Sequence, residues 1–389
     1  MNGDALNKTK AHFLALDSWR GICALLVAAH HFFLFSENNF NTRLMHSFFL
    51  FVDFFFVLSG FVIALNYSDK IKSKKDLASY VIRRFGRVWP LHAVVMTAFL
   101  IFYLIIRAHG DSNPYTIGAS PTTYDYRKFP LVLMLLNSLG MFSGGWNLPS
   151  WSISAEFISY LLFGFAFILP KKILTPLIAV IVAASFLLIL LVSQEHILIT
   201  ANFGFIRGSY GFGTGILAFY FYREVVNRGS DIPNGSAVEI VAIFLLIAFL
   251  LVSVTANGDA TAWSLASPLV FGTAVLLFAN GTGFVSNILR KKIPTYLGKI
   301  SYSIYINHWL ILVFLAFLSN TATHQTSYSA VSMWGGSYWL WSLSNVSIFW
   351  LWFAIFIGSV IVVSHITYKY VEDLFRRKFN KIANNLPIK

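Results

Sequence analysis

The feature that most constrains this chain is a series of apolar segments, each long enough to cross a lipid bilayer as a helix. About 20 apolar residues span a hydrocarbon core about 30 Å thick, and the backbone polar groups inside that core must be paired within the protein. We predict an all-α, polytopic membrane protein with about ten transmembrane helices in one membrane-embedded domain, residues 1–389. The predicted spans lie near residues 14–35, 48–66, 90–107, 151–169, 173–193, 204–222, 238–256, 261–280, 300–318 and 345–369.

The composition supports this prediction and excludes other classes of protein. Hydrophobic residues make up 57% of the 389 residues and charged residues only 12%, against about 25% charged residues in soluble domains. So few charges cannot cover a soluble enzyme of this length, and the many apolar residues exclude intrinsic disorder. The single cysteine, Cys23, excludes an internal disulfide framework and a cysteine-based metal site, and we expect no metal centre because no metal-binding motif is present.

The formal charge of +13 follows an inside–outside pattern. With the amino terminus in the cytoplasm and ten spans, the cytoplasmic ends and loops carry 24 of the 29 basic residues, which agrees with the positive-inside bias. We therefore predict that both termini are cytoplasmic. Because the basic residues are spread over six regions without a dedicated module, we expect no nucleic-acid partner. Membrane lipid is the expected neighbour of these basic loops.

One further apolar run, residues 130–143, is too short to cross the bilayer comfortably. A turn-rich segment, 144–149, follows it. Counting this run as a span would move the later basic clusters outside, against the positive-inside bias. We predict an interfacial or re-entrant helix there.

The first predicted span carries Arg20, His30 and His31. Ionisable groups inside a span are costly and indicate a functional site by default. Arg20 and His31 are eleven positions apart, which leaves them about 20° apart around a helix and roughly 16 Å apart along its axis. One helix face thus presents a cation near the cytoplasm and an imidazole in the outer half. The alternative is that Arg20 is a positive-inside anchor and His31 is bonded to neighbouring backbone.

Two carboxylates are predicted at the depth of His31. Asp53 and Glu156 each lie five residues inside the outer start of a predicted span, about 8 Å below the boundary at helical rise. An unpaired carboxylate among phenylalanines is very costly, so Asp53 requires a partner, and His31 and Arg43 are the candidates. A carboxylate that orients a histidine makes it a general base. A structural ion pair is the alternative for each carboxylate.

The loop before the third span ends in three arginines that abut the apolar segment, and two of them, Arg84 and Arg87, are spaced i and i+3. Guanidinium groups bind phosphate bidentately, and residues at i and i+3 of a helix can converge on one ligand. Together with Arg20, these arginines predict an inner vestibule for an anionic, phosphate-bearing molecule.

Four more polar residues within the spans are candidates, namely Ser59, Arg207, Tyr302 and His308. Ser59 precedes a glycine that permits close helix approach, and Arg207 begins a glycine-rich segment that also indicates packing. Tyr302 belongs to an aromatic stripe, which is most often packing. His308 lies in the middle of a predicted span, where packing alone does not explain an ionisable side chain.

Seven motifs stand in order on these spans. They are LDSWRGI at 16–22 with the Arg20/His31 pair, VDFFFVLSGF at 52–61, RRFGRVWP at 83–90, WSISAE at 151–156, the glycine-rich segment 207–215, LGKISYSIYINHW at 297–309 and YVE at 370–372. Together they resemble the acyltransferase-3 family of integral-membrane acyltransferases, of the bacterial surface-glycan O-acyltransferase type, over nearly the whole chain.

The resemblance implies an enzyme of the bacterial cytoplasmic (inner) membrane that acylates extracytoplasmic glycans. It implies no permanently bound cofactor and acyl-CoA, first of all acetyl-CoA, as the donor cosubstrate. It further implies that His31 is the essential catalytic histidine, with Arg20 on the same helix, and that Arg84 and Arg87 handle the donor.

The chain departs from the family pattern at three points. Phe157 follows Glu156 where many members have a second acidic residue, so Glu156 alone carries any such role. Asn307 precedes His308 where many members read Trp-His-Trp. Some members carry an esterase-like extracytoplasmic domain. Because this sequence has no room for one, we expect transfer to be completed in the membrane domain.

These observations predict a membrane O-acyltransferase. The donor phosphates would bind the inner arginines, and His31, oriented by Glu156 or Asp53, would deprotonate a hydroxyl of a surface polysaccharide or glycolipid. A covalent acyl-enzyme on His31 or a nearby serine is an open alternative. The competing prediction is a proton-coupled transporter or flippase of an anionic or sugar-containing solute, in which Asp53, Glu156 and His31 form a proton relay. The acceptor and the oligomeric state stay open.

Overall fold

The computed structural model describes residues 13–34, 36–37, 42–108, 125–140, 146–230, 232–323, 330–333, 336–339, 341–342 and 346–386. The helices are α1 (Leu14–Leu34), α2 (Arg43–Ser47), α3 (Phe51–Tyr67), α4 (Lys74–Ala108), α5 (Phe129–Leu133), α6 (Ser150–Ala166), α7 (Lys171–Val192), α8 (Gly204–Asn227), α9 (Ser236–Val252), α10 (Ser267–Ala279), α11 (Phe284–Leu289), α12 (Lys292–Lys299), α13 (Ser301–Thr323), α14 (Val346–Thr367) and α15 (Asp373–Asn384).

Short non-α segments complete the described chain. Turns of 3₁₀-helix at Phe48–Leu50 and Ala262–Ala266 precede α3 and α10, and a π-helical turn at Tyr368–Glu372 joins α14 to α15. The strands are β1 (Ser36–Glu37), β2 (Ala330–Met333), β3 (Gly336–Trp339) and β4 (Trp341–Ser342). β1 pairs in parallel with β4, and β2 pairs antiparallel with β3.

The all-α prediction is confirmed, and each predicted span coincides with a helix. Within the described residues, six helical segments are long and apolar enough to cross a membrane: 43–67, 74–105, 171–192, 262–279, 301–318 and 346–384. Of the other predicted spans, α6 and α9 have only 17 residues each, whereas α1 and α8 are long enough but carry the polar side chains discussed below. The number of spans and the side on which the termini lie stay predictions.

The predicted helix at 130–143 is much shorter than expected. Its helical part is α5, only five residues long, and the backbone of Leu135 then turns into the left-handed region at φ 59°. The following turn is buried. Two hydrogen bonds attach it to α6, one from Asn137 to Ser150 (3.0 Å) and one between the Ser138 and Ser154 hydroxyls (2.8 Å). Residues 141–143 of this prediction lie outside the described part of the chain.

The segment before α6 is also buried, which sets the depth of that helix. Trp146 and Asn147 have no exposed surface, and the Asn147 side chain donates to the carbonyl of Ile306 (3.1 Å). α6 therefore begins inside the protein, and its first residues lie below the outer surface.

α3 and α8 run side by side in the same direction, packed through glycines. A Cβ at Gly60 would lie 1.9 Å from the carbonyl oxygen of Phe212, and one at Gly215 would lie 1.9 Å from that of Val57. Only glycine permits this backbone approach. The contact fixes the register of the two helices and brings their polar amino-terminal residues together.

α1 occupies the centre of the fold, between α3 and the pair α12–α13. Its amino-terminal half touches the end of α12, where a Cβ at Gly298 would lie 2.2 Å from the carbonyl oxygen of Asp17. This packing places the basic helix α12 beside Arg20 and aligns α13 with the outer half of α1.

Candidate active site

Two cavities flank the central helix α1 at its opposite ends. We name the cavities after the predicted topology. The inner cavity, of about 750 Å³, touches the amino-terminal end of α1 and most of the length of α3, whereas the outer cavity, of about 50 Å³, touches the carboxyl-terminal part of α1 and the amino-terminal end of α3. Val52 and Tyr305 line both cavities. We call the wall that these two side chains form the partition.

The inner cavity is strongly cationic. Its walls carry six basic side chains and two carboxylates: Arg20, Arg84, Arg87, Lys292, Lys299, Arg376, Asp17 and Glu156. The predicted cluster of Arg20, Arg84 and Arg87 therefore does line one space. Such an excess of cations in a partly closed space attracts an anion with several charges.

Arg84 is held by aromatic side chains. Its Nη2 donates to the hydroxyl of Tyr67 (2.9 Å), and its guanidinium lies 5.1 Å from the Tyr67 ring centroid and 5.8 Å from that of Tyr160. Its buried Nε has no hydrogen-bond partner among the described residues. Because a buried donor without a partner is costly, this N–H is available to a ligand.

Arg87 pairs with a carboxylate from the π-helical turn. Its Nη1 lies 3.1 Å from Oε1 of Glu372, which is fully buried, and Glu372 also accepts from Ser303 (2.7 Å). The π-helical turn thus positions Arg87 at the cavity wall. π-helical turns occur frequently at functional sites.

Arg20 is anchored to the α12–α13 junction. Its Nε donates to Ser301 (2.9 Å), its Nη2 donates to the carbonyl of Gly298 (3.3 Å), and it pairs with Asp17 (3.2 Å). These contacts fix its side chain at the inner end of α1.

Glu156 lies at the inner cavity and does not orient His31, so that part of the prediction is wrong. It accepts hydrogen bonds from Ser59 and from Tyr160 (2.6 Å for Tyr160). The depth count placed Trp151 at the outer boundary. Because α6 begins inside the protein, its seventh residue, Glu156, lies nearer the inner side than that count assumed.

His31 lines the outer cavity. Its Nδ1 lies 2.9 Å from the carbonyl oxygen of Val27, one helical turn before it. A carbonyl can only accept, so Nδ1 carries the proton, and the basic lone pair of the ring is the one on Nε2. A backbone carbonyl thus fixes the tautomer that a carboxylate was predicted to fix.

His308 completes a pair of imidazoles. Its Nδ1 lies 2.6 Å from the carbonyl oxygen of Tyr305, and its Nε2 lies 3.3 Å from Nδ1 of His31. The same argument assigns its proton to Nδ1, so its Nε2 is an acceptor that faces the N–H of His31. The unexplained mid-span histidine of the sequence is therefore the neighbour of His31.

Asp53 pairs with Arg207, so the prediction that His31 or Arg43 would be its partner is wrong. Nε and Nη2 of Arg207 donate to the two carboxylate oxygens at 2.8 and 2.9 Å, and Ser267 adds a third bond at 3.0 Å. Both members of the pair are at most 1% exposed. The parallel packing of α3 on α8 brings them together, whereas Arg43 donates to the carbonyl of Val254 (2.6 Å).

The remaining candidates divide between the two sides. His30 lines the outer cavity and its Nδ1 bonds to the carbonyl of Met45 (2.9 Å). Arg207 lines the same cavity, with its guanidinium 5.4 Å from the ring centroid of Trp151. Tyr302 lines the inner cavity and donates to the carbonyl of Val88 (2.5 Å). No group of three or more His, Cys, Asp or Glu residues within the described chain could hold a metal ion.

Three residues that shape the site were not among the predicted site residues. Tyr160 lies beside the guanidinium of Arg84, Glu372 pairs with Arg87, and Tyr305 forms the partition together with Val52. The sequence offered a signal for Glu372, because this residue ends the last of the seven motifs, YVE at 370–372. Tyr160 also had one, since it lies one helical turn after Glu156.

A family model and two individual relatives match this sequence. Residues 13–369 match the sequence model of the acyltransferase-3 family, described as an acyltransferase domain. Acyltransferase MdmB of Streptomyces mycarofaciens is 34% identical over 165 residues, which cover 41% of this chain and 40% of MdmB. Protein 2 in the picA locus of Rhizobium radiobacter is 30% identical over 103 residues, which cover 26% of this chain and 51% of that protein.

The chain therefore aligns with about half, or less, of the length of these two relatives. No solved structure gives a significant match. Because the family match extends over nearly all of the sequence, from α1 to the π-helical turn, this chain belongs to the acyltransferase-3 family of membrane acyltransferases.

Proposed function

We propose that this protein is a membrane O-acyltransferase that moves an acyl group, most simply acetyl, from cytoplasmic acyl-CoA to a hydroxyl of an extracytoplasmic glycan or glycolipid in the bacterial inner membrane. One observation carries the proposal. A cationic cavity and a histidine-lined cavity lie at opposite ends of one helix and meet at a single partition.

The inner cavity suits the donor. Coenzyme A carries three phosphate groups, and six basic side chains surround this space. Arg84 offers a buried N–H without a partner, and Arg87 is oriented by Glu372. The thioester end of the pantetheine arm would then point past the apolar wall of α3 towards Tyr305. About 16 Å of helix separates Arg20 from His31, a distance that the pantetheine arm can cover.

The outer cavity suits the transfer step. Nε2 of His31 accepts the proton of the acceptor hydroxyl while the hydroxyl oxygen attacks the thioester carbonyl carbon. The carbon–sulfur bond then breaks, and the departing thiolate takes the proton from His31. The products are the acyl ester and coenzyme A with a free thiol, and His31 is neutral again.

His308 would support this step from behind the base. When Nε2 of His31 gains a proton, its ring becomes cationic, and the Nδ1–H donor strengthens its bond to an acceptor. Nε2 of His308 lies 3.3 Å from that donor. A neutral imidazole would thus take the place that a carboxylate has in many catalytic histidine pairs.

The test uses a strain that lacks this protein and is complemented with variants. Mass spectrometry of its surface glycans and glycolipids measures O-acetyl groups, and calorimetry measures acetyl-CoA binding to the purified proteins. We expect His31→Ala to abolish acetylation but to bind acetyl-CoA normally. We expect Arg84→Ala to weaken binding about tenfold or more, since a charged hydrogen bond contributes about 1.5–3 kcal/mol.

Two matched controls separate these effects from general damage. His46→Ala and Arg228→Ala change residues outside both cavities, and we expect wild-type acetylation from each. Full acetylation by the His31→Ala strain would refute the assignment of the base. If the protein did not turn over acyl-CoA but moved a sugar-containing solute across vesicles, the transporter alternative would replace this proposal.

A further inference from the structure

The outer cavity is small and has bulky apolar walls. Its volume is about 50 Å³, and Phe49, Leu148, Trp151 and Leu198 surround the space beside His31. A dry cavity of about 150 Å³ holds a six-carbon benzene ring. By that ratio, the space beside His31 holds about two carbon atoms.

The partition between the two cavities is held rigidly. The hydroxyl of Tyr305 bonds to Oγ of Ser152 (2.6 Å), which donates to the carbonyl of Pro149 (2.9 Å). The Tyr305 ring packs edge-on against Phe55 at 5.6 Å on the inner side and against His308 at 5.7 Å on the outer side. An acyl group that comes from the inner cavity must therefore pass between this fixed ring and Val52.

The inner cavity places no such limit on the donor. Its volume is fifteen times larger, about 750 Å³ against about 50 Å³, and apolar side chains of α3 such as Phe55, Val62 and Ile63 line part of it. A longer acyl chain finds apolar surface there. Discrimination by chain length would then take place at the transfer step and not at donor binding.

We propose that the outer cavity selects the transferred acyl group by length and accepts groups of about two carbons, with Val52 and Leu198 as the specificity-determining side chains. This inference rests on the proposed function and adds the size of the donor acyl group to it. The bonds that form and break are those of the transfer step above. A longer chain would keep the thioester carbonyl out of reach of the hydroxyl at His31.

The experiment uses membrane vesicles that contain the natural acceptor, prepared from the null strain after complementation. Acetyl-, butyryl- and hexanoyl-CoA, labelled in the acyl group, are supplied in turn, and label bound to washed glycan and glycolipid is counted. We expect the wild type to transfer acetyl at least tenfold faster than butyryl, since one methylene in a tight pocket changes specificity by roughly 10–200-fold. We expect hexanoyl-CoA to compete with acetyl-CoA for binding without being transferred.

Leu198→Ala widens the cavity and should raise the butyryl-to-acetyl ratio about tenfold. Ile199→Ala is the matched control, because it shortens the next side chain of the same loop and Ile199 does not line the cavity. The butyryl-to-acetyl ratio of this variant should equal that of the wild type. Val52→Ala repeats the test on a different element if Leu198→Ala does not accumulate. Ala201→Val narrows the cavity and should lower the ratio further.

Equal transfer of all three acyl groups by the wild type would overturn this inference and leave the proposed function intact. Unchanged ratios in folded Leu198→Ala and Val52→Ala proteins would also overturn it. If the wild type transferred no label from any acyl-CoA, the proposed function itself would fail.

Discussion

At the scale of single residues, a backbone carbonyl fixes the tautomer of His31, a role that was predicted for a carboxylate side chain. His31 and His308 each direct Nδ1 to a carbonyl of the preceding helical turn, so both imidazoles have the same tautomer. In this tautomer the lone pair of each ring lies on Nε2. No carboxylate has to be buried beside the base, which avoids the large desolvation cost of a second charge in this apolar region.

The pair predicts a graded response to substitution at position 308. We expect His308→Ala to lower kcat about ten- to hundredfold, because the bond to the imidazolium of His31 contributes about 1.5–3 kcal/mol, while KM for acyl-CoA stays the same. His308→Gln keeps an acceptor oxygen near the position of Nε2 and should recover part of the rate. Steady-state kinetics with labelled acetyl-CoA measures both values. A wild-type kcat for the alanine variant would contradict the role.

The buried pair of Asp53 and Arg207 predicts non-additive losses of stability. Removal of either partner leaves an uncompensated charge, and we expect Asp53→Leu or Arg207→Met to reduce the free energy of unfolding by about 3–5 kcal/mol. The double variant Asp53→Leu with Arg207→Met should lose less than the sum of the two.

Unfolding in mixed micelles, titrated with a denaturing detergent, measures all four proteins of this cycle. Arg228→Ala, which breaks an exposed pair with Glu224, is the control and should cost less than about 1 kcal/mol. Strictly additive losses would mean that the two side chains do not stabilise each other.

The sequence indicated which residues carry chemistry better than it indicated their partners. Hydropathy marks an ionisable residue in a span, so His31, Asp53, Glu156 and Arg207 all stand out. Hydropathy does not predict which residues are neighbours in space, since Asp53 and Arg207 are 154 positions apart in the sequence and His31 and His308 are 277 positions apart. Only the packing of whole helices sets such pairs.

At the scale of the elements, the packing of α3 on α8 involves the closest glycine contacts in the described part of the chain. The carbonyl oxygens that face Gly60 and Gly215 leave no room for a methyl group. This contact sets the position of α3 and with it Val52, Asp53 and Ser59, each of which belongs to a different part of the site.

We expect Gly60→Ala to separate α3 from α8 and to lower the stability by about 1–3 kcal/mol or more, as overpacking does. Gly358 on α14 provides the matched control, because a Cβ there would meet nothing within 4 Å. Gly358→Ala should be neutral or slightly stabilising, since alanine favours a helix over glycine. The detergent titration compares the two, and equal stabilities would argue against the close contact.

Element positions were largely predictable, whereas depth was not. A run of about 20 apolar residues gives the position of a helix within a few residues, as the ends of α3 and α7 show. The register of a helix against the membrane also depends on where its preceding loop lies. Trp146 and Asn147 lie in a segment whose composition predicts a turn, yet both side chains are fully buried. Because this segment is buried, α6 begins deeper than expected and Glu156 lies at the inner cavity.

At the scale of the whole molecule, the inner cavity must face the cytoplasm if the donor is acyl-CoA. The predicted topology puts residue 230 inside and residue 257 outside, and both side chains are exposed. The native thiol, Cys23, is only 1% exposed, so it should not react with a polar reagent.

We therefore expect Asn257→Cys to react with a membrane-impermeant maleimide on intact cells, and Ser230→Cys to react only after the membrane is opened. Gel shift of the labelled protein measures both, with the wild type as the unlabelled control. Labelling of Ser230→Cys on intact cells would reverse the topology and would place the basic cavity on the wrong side for the donor.

The partition between the two cavities has an electrical consequence. Water can enter the 750 Å³ space, so much of the transmembrane voltage would fall across the layer at Val52 and Tyr305. Moving one elementary charge through that voltage costs about 2.3 kcal/mol per 100 mV. In the proposed reaction an acyl group, formally an acyl cation, moves outwards across the partition while a proton moves inwards, so no net charge is moved. A proton that crossed without this exchange would dissipate the proton gradient. The same two side chains would thus act as the ion seal of the cell at this point in its membrane.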